Sequence, residues 1–348
     1  MVSASKLLPE WKEVSQLYQL QVSGTTSTIV IKVSSSYAPD MLPPNLAALL
    51  RRVLDGAQVQ QLDRHLTTPP LLRIWEDGVA SRAEFAQALS LVLFHDVHTR
   101  LAREQWWGSP TDAMRIAPHT IEVPVVQWNS GALPQGELAL SRILEPLGYR
   151  VEDHSKRNGQ SVVRKRYRHI DAPDHVTQIQ LCEIHPLAFG DEFALAVDRI
   201  VSRGADPLSS DASELLSRLE KNRCLPIEEA KTLMDMLVRV FGRHHAAPVY
   251  EDYRAVAADS PDMGWLATEG LAPISATVRV VGVPGIHGHD EMLLGGSTSL
   301  NREFVCASGV RIRREVPGPR ILVRREASGE VKQTASSVTS RRSCAVPL

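Results

Sequence analysis

Hydrophobic and polar positions in this chain follow two different periods, and the change from one to the other divides it. From Asn45 the stretch "NLAALLRRVLDG" repeats apolar residues three and four apart, which predicts an amphipathic helix that stops at Gly56. "SRAEFAQALSLVLFHDVHTRLARE" sustains a longer apolar stripe of the same period. Ser81 is its expected N-cap, and Glu84 three residues later completes a capping box. Before these helices, "TTSTIVIKVSSS" (residues 25–36) has the β-branched run of a strand between serine and proline flanks. The first third is therefore expected to be mostly helical, over residues 1–112.

Near Met114 the period drops to two. "RIAPHTIEVPVV" reads as a strand, and "GELALSRILEPLGYRVED" as a short helix ended by Gly148 and leading into a second strand. "SVVRKRYRHI" and "HVTQIQLCEIHP" then alternate as half-buried strands do. Strand, helix and three strands make a βαβββ unit, unlike the regular βα alternation of a doubly wound sheet. Helical spacing returns over about residues 190–245, followed by strand patterns in "ISATVRVVGV", "REFVCASGVRIRREV" and "RILVRREA". A sheet core over 113–330 with helices inserted in it is the organisation this implies. Residues 331–348, polar, serine-rich and basic, read as a flexible tail.

Composition narrows the function classes. Hydrophobic residues make up 43% and charged residues 23% of 348, the balance of a globular protein. The formal charge of −1 argues against nonspecific binding of nucleic acid or a membrane surface, both of which need a basic excess. Arg164-Lys165-Arg166 with Arg168 is a local basic cluster, read as a solvated loop. Cys182, Cys224, Cys306 and Cys344 lie far apart with no CxxC pair, as in a reducing compartment. No apolar run approaches the roughly 20 residues a bilayer span needs. A cytoplasmic protein is the expectation.

No phosphate loop, dinucleotide fingerprint, HExxH or GxSxG context occurs. His95 and His98 share a helix face and read as structural. His244 and His245 are adjacent and cannot both face one site from a helix. His287 and His289 lie in "PGIHGHDE" beside Asp290 and Glu291, a composition suited to a metal. His119 stands alone on the strand that opens the βαβββ unit. Two histidines and one carboxylate on adjacent strands would make the facial triad of a non-haem Fe(II) enzyme, which leaves positions open for substrate and dioxygen.

Several collinear segments carry a resemblance. "PHTIEVPVV" with "LSRILEPLGYRVED", then "IQLCEIHPLAFGDEFALAVDRIVSRGADPLS" and "VFGRHHAAPVYEDYRAVAADSPDMGWLATEG", resemble the 2-oxoadipate dioxygenase/decarboxylase family, the hydroxyglutarate synthases. The resemblance implies an α+β fold, a vicinal-oxygen-chelate-like barrel of βαβββ units with added helices. It implies Fe(II) as cofactor, with O2 and a small 2-oxo acid or amino-acid-derived molecule as reactants and loss of CO2. The metal would act as Lewis acid and template.

Carried over residue by residue, the first ligand is His119 and the third Glu326, with Glu315 second in line. The family's second histidine is missing, since Pro273-Ile274-Ser275-Ala276 occupies its place, and His289 or His287 just downstream would have to supply it. The family's substrate-gripping arginine is missing too, and Glu122 or Val123 stands there. Glu122 and Arg279 are the candidate substrate-binding residues, and an inward Glu122 would favour a positive substrate group. If the metal is lost, the fold would serve as a small-molecule binding module or a non-oxidative lyase or isomerase. Glu183 and His185, alternating in "CEIHP", would then be the catalytic acid/base pair.

Overall fold

The computed structural model describes residues 18–21, 32–35, 42–67, 78–100, 115–154, 161–281, 291–293 and 299–324. His287, His289, Glu326 and the tail 331–348 lie outside the described residues. The chain divides into two compact units, residues 1–42 and 43–348. In the first, β1 (Tyr18–Gln21) pairs antiparallel with β2 (Lys32–Ser35).

The second unit begins with α1 (Pro44–Val53), α2 (Gly56–His65) and α3 (Arg82–Arg100); α1 and α3 are the expected helices, while Gly56, read as a stop, opens α2. The capping box predicted at the start of α3 is present. The Glu84 amide donates to Ser81 Oγ at 3.1 Å, and the Ser81 amide donates to Glu84 Oε2 at 2.9 Å. A short β3 (Val79–Ser81) precedes α3.

The βαβββ unit forms as read. It consists of β4 (Arg115–Val126), α4 (Leu138–Leu144), β5 (Tyr149–His154), β6 (Val162–His169) and β7 (Gln178–Ile184). Its strands lie in the order β4-β7-β6-β5, with β4 parallel to β7 and the other pairs antiparallel. The basic stretch 164–168, read above both as a solvated loop and within a strand pattern, is part of β6.

After β7 come α5 (Asp191–Val201), α6 (Ser210–Asn222), β8 (Cys224–Pro226), α7 (Ile227–Val238), α8 (Tyr250–Asp259) and α9 (Pro261–Glu269). The sheet then resumes with β9 (Ser275–Val281), β10 (Glu291–Leu293), β11 (Ser299–Val305), β12 (Arg311–Pro317) and β13 (Arg320–Arg324). β9 runs parallel to β13, which pairs antiparallel with β10. The two halves join through the antiparallel pair β4–β9, giving a mixed sheet β10-β13-β9-β4-β7-β6-β5. Among the described residues this sheet is open, so the expected barrel is corrected to an open mixed sheet. β11 and β12 leave it and pair only with each other. Their Phe304 packs on Tyr250 and Tyr253 of α8, where an aromatic cluster is worth more than the same area of aliphatic surface.

β4 is the hub. Its Ile121, Val123 and Val125 are buried, and strands flank it on both sides. The register with β9 slips between Pro118 and Thr120, so His119 is the extra residue of a β-bulge. A proline fits there, because a bulge already lacks a ladder hydrogen bond.

Candidate functional site

Successive residues of a strand point to opposite faces, and on β4, β6 and β7 that alternation builds two separate polar clusters. On one face Glu122, in mid-sheet, is the acceptor for four side chains. Ser275 Oγ on β9 donates to its Oε2 at 2.7 Å. Cys182 Sγ at 2.7 Å and Gln180 Nε2 at 3.1 Å donate to Oε1 from β7, and Arg164 Nε donates to it at 3.1 Å from β6. Its side chain is 14% exposed, while that of Arg164 is 50% exposed.

Burial alone would raise the Glu122 carboxyl. The hydrogen bonds from Cys182 and Ser275 and the Arg164 charge overcome it, so the group stays below the ordinary glutamate value and ionised. The same burial, with the anion beside it, pushes the Cys182 thiol up and keeps it protonated. α9 lies over this face, and its Asp262 Oδ2 is 3.9 Å from Arg164 Nη2. Burial and the Glu122 charge raise the Asp262 carboxyl, against the pull of Arg164 and Arg320. Cys182 is flanked by an apolar group formed by Trp265, Ala272 and Ile274, with Val162 and Leu300 against it.

The opposite face carries the second cluster. Lys165 Nζ sits 2.6 Å from Glu137 Oε2 and 3.1 Å from Glu183 Oε2. Tyr167 hydroxyl donates to Glu137, and the Glu137 amide donates to Glu183 Oε2 at 2.8 Å. His185 Nε2 lies 3.0 Å from Glu183 Oε1, at hydrogen-bond distance but without the alignment of one. The candidate pair Glu183 and His185 is thus brought together, on the side of the sheet away from Glu122. The contacts of Glu183 with Lys165 and Glu137 tie α4 to the sheet.

Arg279 is half-buried on β9, on the same face as Ser275 but four residues along, about 13 Å at the rise of a strand. The structure therefore does not join it to Glu122. His119 is 8% exposed in its bulge. Among the described residues no three His, Cys, Asp or Glu side chains gather to hold a metal ion. Taken alone, those residues do not fit Fe(II), and Glu122 in mid-sheet already has four donors.

Sequence reasoning missed Arg164 and Asp262. The strand alternation of "SVVRKRYRHI" held a signal for the first. Ser260-Pro261, an N-cap followed by proline at the first helical position, held one for the second.

The fold and this central strand pair define a relative of the vicinal-oxygen-chelate proteins. A crystallised glyoxalase superfamily protein from Ralstonia eutropha JMP134 is 31% identical to the chain and superposes with a TM-score of 0.75 over 82% of it and 97% of that protein. The chain belongs to the glyoxalase superfamily. The hydroxyglutarate synthase of Oryza sativa, crystallised with 2-oxoadipate, is 12% identical with a TM-score of 0.39 over 85% of this chain and 86% of that one. The hydroxyglutarate synthase of Pseudomonas putida with 2-oxoadipate is 13% identical with a TM-score of 0.43, over 82% and 66%. Likenesses that remote bear neither on metal nor on substrate here. No family model and no curated protein matches the chain. Among the described residues no helix is long and apolar enough to cross a membrane.

Proposed function

We propose that the protein is an enzyme acting on a small carboxylate-bearing molecule, a 2-oxo acid or an amino-acid-derived compound, held on the Arg164–Glu122 face of the sheet. One observation carries the reading. Glu122 spends its charge on fixing a half-exposed guanidinium above the middle of the sheet. A guanidinium so oriented is a ready carboxylate ligand, because its planar fork matches two carboxylate oxygens and little side-chain entropy is left to lose. The positive substrate group that Glu122 would have favoured has an internal counterpart in Arg164.

The chain's own residues do three things here. Arg164 binds and orients the ligand carboxylate, Glu122 holds Arg164 in place, and the Trp265 side of the site supplies an apolar wall. Arg164→Gln should lose binding of the 2-oxo acids that raise the melting temperature of the wild-type protein. A ligand that binds both proteins equally well would overturn the assignment.

A second reading retains Fe(II) and O2, with oxidative decarboxylation of the 2-oxo acid. It is favoured by the burial of His119 at a bulge in the hub strand. Its other ligands, His289 and Glu326, lie outside the described residues. Metal analysis of anaerobically purified protein separates the two readings. About one equivalent of iron, lost in His119→Ala, supports the second, and a negligible amount supports the first.

A further inference from the structure

Asp262 is out of keeping with its surroundings. It stands in the first turn of α9 with its side chain only 17% exposed, yet among the described residues no hydrogen bond reaches that carboxylate. Its nearest cation, Arg164 Nη2 at 3.9 Å, is beyond hydrogen-bond length. With part of its surface open, the carboxylate is reached by solvent and hence by a ligand donor that would take the place of water. Neighbouring Glu122, less exposed still, accepts four hydrogen bonds. The two acids thus flank one guanidinium with opposite degrees of satisfaction.

We propose that Arg164 and Asp262 together recognise an α-amino acid, the guanidinium taking its carboxylate and Asp262 its ammonium group. This rests on the site reading above and narrows its substrate class. An ammonium offers three donors and no acceptor, which is what an ionised carboxylate lacking hydrogen bonds needs. A 2-oxo acid would set its keto oxygen, an acceptor, against Asp262, another acceptor. A dicarboxylate would bring a second anion. Both mismatches count against the wrong ligand as much as the ion pairs count for the right one. The partly buried Val162 and Leu300, packed against the Trp265 core, suit an apolar amino-acid side chain.

The test is calorimetric binding at neutral pH of matched sets, an amino acid with the 2-oxo acid and the amine of the same side chain. Ligands are titrated into the full-length wild-type protein, Asp262→Asn and Arg164→Gln. Asp262→Ser replaces the Asn variant should that fold poorly. The expected result is wild-type preference for the amino acid over its 2-oxo acid by at least about tenfold. Asp262→Asn should erase that preference without weakening the 2-oxo acid, and Arg164→Gln should weaken both. Binding of 2-oxo acids through Arg164 with no amino-acid preference, or a preference unchanged in Asp262→Asn, overturns this inference and leaves the site reading standing. If no member of any set binds the wild-type protein, both fall.

Discussion

Replacing Glu122 by alanine tests the centre of the site without knowledge of any ligand. The substitution removes one acceptor and strands four donors, which differ in what they lose. Ser275 and Cys182 are buried and have little access to water, so the hydroxyl forfeits about 1–3 kcal/mol and the thiol, a weak donor, less. Gln180 is half-buried and can turn to solvent. Arg164 is half-exposed, so its ion pair is worth at most about 1 kcal/mol. Against these stands relief of the carboxylate's own desolvation.

The net expectation is a loss of about 2–3 kcal/mol, or roughly 4–10 °C in melting temperature for a unit of this size. Urea unfolding at pH 7 reads it as a lower midpoint at unchanged slope. The pH dependence has a definite sign. The folded-state carboxyl lies below its unfolded value, so its contribution is complete above the unfolded pKa of about 4.3 and is lost as pH falls through the lower folded value. Wild type and Glu122→Gln should therefore converge in acid. A Glu122→Ala protein within 0.5 kcal/mol of wild type by the error of the method, or a Gln gap that persists into strong acid, would refute the account.

Three further predictions concern the frame around the site. Ser81→Ala should cost about 1 kcal/mol by urea unfolding, since it removes the side-chain half of the box that starts α3. Gly270→Ala should cost more than about 2 kcal/mol, because Gly270 has φ of +67° and a β-carbon there would collide with the Gly242 carbonyl and the Arg243 backbone. His169, fully buried between the Leu147 carbonyl and the Asp171 amide, has its pKa pushed down to about 4, chiefly by burial. The unfolded chain takes up this proton near pH 6.5 and the folded one does not, so stability should fall between pH 6.5 and 4 by up to about 3 kcal/mol. His169→Gln should flatten that part of the curve, and an unchanged slope would count against the assignment.

Local periodicity carried much of the fold. The capping box at Ser81 and Glu84, the short helix before the Gly148 turn and the succession of β4 to β7 all follow from interactions within a few residues or within one strand, so the sequence states them directly. The βαβββ reading held for the same reason. Closure of the sheet did not follow, because whether a strand such as β11 joins its neighbours depends on contacts with helices far off in the chain, here α8.

The site divides in the same way. Alternation along "CEIHP" and "RKRYR" puts Glu183 and Cys182 on opposite faces of one strand and Lys165 and Arg164 on opposite faces of another. That Glu122 meets Ser275, across 153 residues, and that Asp262 comes to rest near Arg164 without a hydrogen bond, only the tertiary structure decided. Strand register and helix docking are set by burial of apolar faces over the whole unit. A polar residue's partners are a by-product of that packing, and no local pattern in the chain names them.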